Sequence, residues 1–176
     1  MQDIFREADL SPGAVYSYFK GKDELIEAIT DTALSFAVGA VQTLRAPGPD
    51  GRLPSPGDAV RFLVSAFRDF DIGTFDQRTR IFPQIVAEAQ RRPQLGERVR
   101  SGLGSVLALL ADLARAAQER GEISSELDPE GVARLTLAGF HGFLIQHSIF
   151  GDAMDQDGYV ATAAALLDGR AAPSHP

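Results

Sequence analysis

Residues 4–22 read I-F-R-E-A-D-L-S-P-G-A-V-Y-S-Y-F-K-G-K. Two short helical segments fit on either side of a tight turn. The first covers roughly residues 2–8. Asp9, Leu10 and Ser11 make the turn, with Ser11 as N-cap and Pro12 at the first helical position, where a missing N–H is no loss and a fixed φ suits the helix. The second segment runs to about Phe19. Lys20 and Gly21 close it, since glycine is free to take the left-handed cap conformation. Helices joined in this way form a helix-turn-helix, whose second helix can enter the major groove of DNA.

Outward from that unit, nearly every segment has helical period, and the alternation of strands is absent. A long helix is expected from about Lys22 to Leu44, with Leu25, Ile26, Ile29, Ala33, Phe36 and Ala40 along one stripe. Residues 46–57, A-P-G-P-D-G-R-L-P-S-P-G, are expected to form a loop or small-domain boundary. Helix resumes near Asp58, and Gly73 interrupts it. Thr74 is placed to cap the next segment, in which Pro83 is expected to kink or divide the helix. Pro93 opens a long helix to Arg120 that Gly121 ends. Asp128-Pro129 is an N-cap and first-position pair opening a helix to about Phe150, apolar nearly all round. A last helix spans about 154–167. The expected fold is therefore all-α, with about nine helices. A helix-turn-helix module and linking helix take residues 1–45, a helical-bundle domain takes 46–170, and 171–176 form a disordered tail.

The chain has 176 residues, no cysteine and a net charge of −7. Without cysteine there is no disulfide, thiolate metal site or thiol nucleophile. No apolar run reaches the roughly 18 residues that cross a bilayer, and Asp3, Glu7 and Asp9 break any secretory pattern. A cytoplasmic protein is expected. Residues 1–46 hold Arg6, Lys20, Lys22 and Arg45 against Asp3, Glu7, Asp9, Asp23, Glu24, Glu27 and Asp31, a local charge of −3. Because Lys and Arg supply most non-specific DNA affinity, an acidic end weighs against strong binding.

The run S-P-G-A-V-Y-S-Y-F-K-G-K-D-E-L-I resembles the DNA-reading signature of the TetR family of bacterial repressors. Later stretches, E-A-Q-R-R-P-Q-L, R-G-E-I and D-P-E-G-V-A, resemble that family's regulatory domains. The resemblance implies a homodimeric repressor that binds operator DNA and is released by a small apolar effector held in the helical domain. It implies phosphate contacts by Ser11, Tyr16, Tyr18 and Lys22, and places Pro12, Gly13, Ala14 and Ser17 facing base edges. That set is poor in bidentate donors, so thymine methyls and DNA shape would carry specificity. The family also has a full helix ahead of this motif, which this sequence lacks. A ligand-binding or interaction dimer that has lost DNA binding is the alternative.

For the effector, the phenylalanine-rich stretch is informative: eleven Phe and no Trp suit an apolar cavity between helices. Phe62, Phe67, Phe70, Phe82, Phe140 and His141 are the candidates, with Glu88 as a polar group after Pro83. For the dimer interface, Leu103, Leu107 and Leu110 from one long helix join Leu135, Gly139, Gly142 and Phe143 from the next, the glycines permitting close approach in a four-helix arrangement. His141 and His147 are six apart, about 240° around a helix, so they share no face and no metal site or cofactor is expected. No phosphate loop, nucleophile elbow or carboxylate pair points to an enzyme.

Overall fold

Four side chains that bond the backbone three residues ahead define where most of the helices begin. Ser55 accepts from the Asp58 N–H while Asp58 accepts from the Ser55 N–H, and Thr74 and Gln77 form the same reciprocal pair. Asp128 caps onto Gly131, and Asp155 onto Gly158. A computed structural model describes residues 19–71 and 73–169, apart from the Lys22 side chain. Among these residues the structure is all-α: α1 (Lys22–Thr43), α2 (Pro56–Arg68), α3 (Phe75–Arg91), α4 (Pro93–Glu119), α5 (Pro129–Phe150) and α6 (Gln156–Leu167), with a 3-10 turn at Gly151–Ala153. The helix expected at 2–8, residues 12–18 of the next and the tail at 171–176 lie outside the described residues.

Two expectations about helix boundaries change. Helix α2 starts at Pro56 rather than Asp58, because Ser55-Pro56 is itself a cap and first-position pair. Pro83 sits inside a continuous α3 and divides nothing. Its missing N–H costs one bond of the ladder, and the Thr74 cap at one end and ring packing by Phe75 and Phe82 along the helix hold the rest.

Helix α5 lies at the centre, touching α2, α3, α4 and α6. The core joins Ala40 and Val41 of α1 and Leu44 just after it to Leu63 and Val64 of α2, Val106, Leu110 and Leu113 of α4, and Leu137, Phe140, Phe143 and Leu144 of α5. The C-terminal end of α1 thus packs with the helices that follow it. The intervening loop is tied down as well: Arg52 reaches Glu122 at 2.7 Å and Arg120 donates to the Leu53 carbonyl at 3.0 Å. Hydrogen bonds from Arg120 and Arg52 hold the Glu122 carboxyl down to about 2.

Two residues expected at a dimer interface are core positions of the single chain. Phe143 and Leu110 are buried at 0% and 2% exposure. Gly142 does permit close approach, but within one chain. A Cβ on Gly142 would lie 2.7 Å from the Tyr159 hydroxyl of α6, and one on Gly139 would touch Val60 of α2 at 3.6 Å. Tyr159 uses that proximity to donate to the Gly139 carbonyl at 2.9 Å. Leu103 and Leu107 are half-buried against the core, and Leu135 alone of the seven stands clear.

Candidate functional site

The seven residues from Ser11 to Tyr18 expected to meet DNA (Ser11, Pro12, Gly13, Ala14, Tyr16, Ser17 and Tyr18) lie outside the described residues. Lys22 is the first residue of α1, at the end of the linking helix nearest that segment. The acidic first turn at Asp23 and Glu24 complements the helix dipole, and Glu24 accepts from the Lys20 backbone N–H at 2.6 Å.

The expected effector residues largely converge. An aromatic seam begins at Phe36 on α1, which lies 4.3 Å from Phe70 and 6.0 Å from Phe67 by ring centroids. Phe67 meets Phe75 at 5.9 Å and Phe140 at 5.7 Å, mostly edge to face. Phe82 lies 4.6 Å from His141, which neighbours Phe140 at 6.0 Å. Phe62 is half-buried against the same core. The seam therefore runs from the linking helix through α2 and α3 to α5. Burial pushes the His141 imidazole down to about 4, so the ring is neutral at physiological pH and can offer one donor and one acceptor.

Glu88 does not join the seam. Its carboxylate is taken by Arg91 at 2.6 Å and Arg92 at 3.2 Å. These i+3 and i+4 partners are legible in E-A-Q-R-R, and neutralising Glu88 draws it to the end of α3 instead. Sequence reasoning also missed Arg78, a charged residue that reads as surface. It is buried, donates to the Gly73 and Arg68 carbonyls at 2.7 and 2.8 Å, and lies over the Phe67 and Phe75 rings. It pins the turn between α2 and α3 and places a cation at the C-terminal end of α2. His147, likewise unassigned from sequence, is buried against Phe75 with Nδ1 3.5 Å from the Thr79 hydroxyl.

Two clefts open elsewhere on the surface. One of about 340 Å³ runs between α4 and α5, floored by Leu107, Ala108, Ala111 and Ala133 and rimmed by Asp112, Arg115, Glu130 and Arg134. Another of about 250 Å³ lies beside Asp76, Thr79, Arg80 and His147. Neither coincides with the seam.

Comparison with known proteins places this architecture. Residues 56–172 match the C-terminal domain of BetI-type transcriptional repressors, and residues 1–29 match the bacterial regulatory proteins of the tetR family. The chain belongs to the TetR family. It is a transcriptional regulator, with the family's DNA-binding part at its N-terminus and a repressor-type domain after it. The HTH-type transcriptional regulator UidR of Escherichia coli K12 is 28% identical over 147 residues, which cover 82% of this chain and 68% of UidR. UidR of Shigella flexneri matches to the same extent. The solved structure of Salmonella enterica GusR is similar with a TM-score of 0.65 and 28% identity, covering 96% of this chain and 82% of that one. These relatives are regulators rather than enzymes, and among the described residues no helix is long and apolar enough to cross a membrane.

Proposed function

We propose that this TetR-family chain is a cytoplasmic, dimeric repressor without catalytic activity. A small, largely apolar effector that enters the aromatic seam releases it from operator DNA. One observation carries the reading: the seam is continuous from the linking helix to the central helix, through Phe36, Phe70, Phe67 and Phe140. Close-packed rings transmit displacement rather than absorb it. An effector that parts Phe82 from His141 must move α3 relative to α5, and through Phe67 and Phe36 it tilts α1, whose first turn adjoins the DNA-reading segment. Phe62, Phe67, Phe70, Phe82, Phe140 and His141 are the effector residues in this reading, with the neutral imidazole as the polar group that orients the ligand.

The dimer face follows from what the single chain leaves uncovered. Leu135, Ala138, Ile145 and Ile149 recur at three, seven and four residues along α5, all exposed, and Leu166 of α6 is 76% exposed. An apolar stripe at that spacing suits a helix packed against its two-fold copy. Leu135 stays in the interface, with Gly142 on the same face of α5, while Phe143 and Leu110 support it from the core.

Ser11, Pro12, Gly13, Ala14, Tyr16, Ser17, Tyr18 and Lys22 are the proposed DNA-contacting residues. Footprinting the DNA that flanks the chain's own gene tests this. Two protected half-sites related by a dyad are expected, and Tyr16→Ala or Lys22→Ala should weaken protection at least about tenfold. Undiminished protection in both variants sinks the site assignment. No protection by the unaltered chain favours the ligand-binding dimer without DNA function, which the acidic N-terminal end motivates.

A further inference from the structure

The acidic linking helix has a counterpart in the regulatory domain. Asp23, Glu27 and Asp31 recur every four residues on α1, so they form one stripe. All three meet arginines at the start of α4. Arg92, the single residue between α3 and α4, reaches Asp23 at 2.5 Å and Glu88 at 3.2 Å. Arg98, on α4, reaches Asp31 at 3.3 Å and Glu27 at 3.4 Å. Two guanidiniums thus hold three carboxylates on the first three turns of the helix that carries the DNA-reading segment. Arg92 joins them to the end of α3, the helix that supplies Phe75 and Phe82 to the seam.

We infer that Arg92 and Arg98 form a clamp that sets DNA affinity from within the regulatory domain. It holds the N-terminal turns of α1 in one position and masks their negative charge from the phosphates. Displacing the α3–α4 junction opens the clamp, frees α1, and presents three carboxylates near the DNA backbone, so orientation and electrostatics oppose binding together. The acidic charge of the N-terminal end is then a working part of the switch, neutralised in the DNA-bound arrangement and exposed on release. Arg92 and Arg98 are positioning residues, touching neither DNA nor effector. The inference rests on the proposal that the chain binds operator DNA. Solvent-exposed ion pairs are individually weak and screened by salt, so the effect comes from the set and fades as ionic strength rises.

The test uses the full chain and a short duplex carrying its footprinted site. Arg98→Glu should weaken binding about tenfold at low salt, with a smaller difference at high salt. Arg100→Glu makes the same charge change on the same helix, but among the described residues Arg100 pairs only with Glu97 of its own turn, so its effect should stay within about twofold. The swap Arg98→Asp with Asp31→Arg should recover most of the loss, whereas Arg98→Asp with Glu126→Arg, which restores the net charge at an exposed site away from α1 but not the pair, should not. Hydrogen exchange in the absence of DNA gives an independent reading: amides of residues 24–34 should exchange faster in Arg98→Glu, with those of α5 unchanged. Equal weakening by Arg98→Glu and Arg100→Glu, no recovery in the swap, or unaltered exchange in α1 overturns the clamp. If the unaltered chain binds no duplex, the DNA-binding proposal fails. The exchange result then judges the clamp alone: faster exchange supports it and unchanged exchange overturns it.

Discussion

Replacing Asp168 with alanine should cost this protein a large part of its stability. The residue follows the last turn of α6 and is 3% exposed. Its carboxylate accepts from the Gly57 N–H at 2.9 Å and the Ser55 hydroxyl at 3.1 Å, both at the N-terminus of α2. The approach is so close that a Cβ on Gly57 would lie 2.6 Å from the carboxylate. Hydrogen bonds to a charged group contribute about 1.5–3 kcal/mol each, and the carboxylate also faces the positive end of the α2 dipole. Alanine leaves two buried donors without this acceptor, so the expected loss is about 3–5 kcal/mol. That is a substantial share of the roughly 5–15 kcal/mol that holds a domain folded. At this chain length it corresponds to a fall in Tm of about 6–20 °C. Asp168→Asn keeps one acceptor and the shape, and should cost about 1–2 kcal/mol. Ser55→Ala removes the α2 cap as well as its bond to Asp168, and should be coupled to Asp168→Ala by at least about 0.5 kcal/mol in a double-mutant cycle. Urea and thermal unfolding at fixed protomer concentration measure all three. A loss below about 1 kcal/mol for Asp168→Ala, or additive effects with Ser55→Ala, refutes the reasoning.

The His141 ring makes stability depend on acid. Its folded-state value of about 4 lies below the ordinary 6.5, so the unfolded chain takes up a proton that the folded chain refuses. Its contribution is complete above about pH 6.5 and is lost as the pH falls toward 4, by about 3 kcal/mol in all. The unfolding free energy of wild type minus that of His141→Leu should show this slope between pH 6.5 and 4, and a flat difference contradicts it. On the outer face of α5, Leu135→Glu or Ile149→Glu should weaken self-association about a hundredfold, because each change enters a two-fold interface twice. Sedimentation equilibrium measures this, and an unchanged dimer removes the face from consideration.

Much of the fold was legible because helices announce their starts. Thr74 and Asp128-Pro129 cap as their spacing suggests, and Gly121 and Gly151 take the positive φ that ends a helix. Ser55 was hidden because its partner Asp58 lies beyond a run of Pro and Gly that reads as loop. Periodicity tells that a face is buried but not against what. Gly139 and Gly142 read as points of close approach between subunits, but within the chain Gly142 lies against Tyr159 and Gly139 only touches Val60 at ordinary distance. The seam was largely legible in its phenylalanines. The arginines were less so, since Arg92 and Arg98 reach carboxylates 67 to 71 residues away, and Arg78 a carbonyl ten residues back, that no local pattern relates.

The central claim is that two copies of this chain grip one operator through their N-terminal segments. Sedimentation of a fluorescent duplex bearing the footprinted site, titrated with the full chain at physiological salt, tests it directly. The account predicts a complex of two protomers per duplex, lost on Tyr16→Ala and weakened when Leu135→Glu splits the dimer. A duplex that sediments alone at saturating protein, or that binds a single protomer with unchanged affinity in Leu135→Glu, contradicts it.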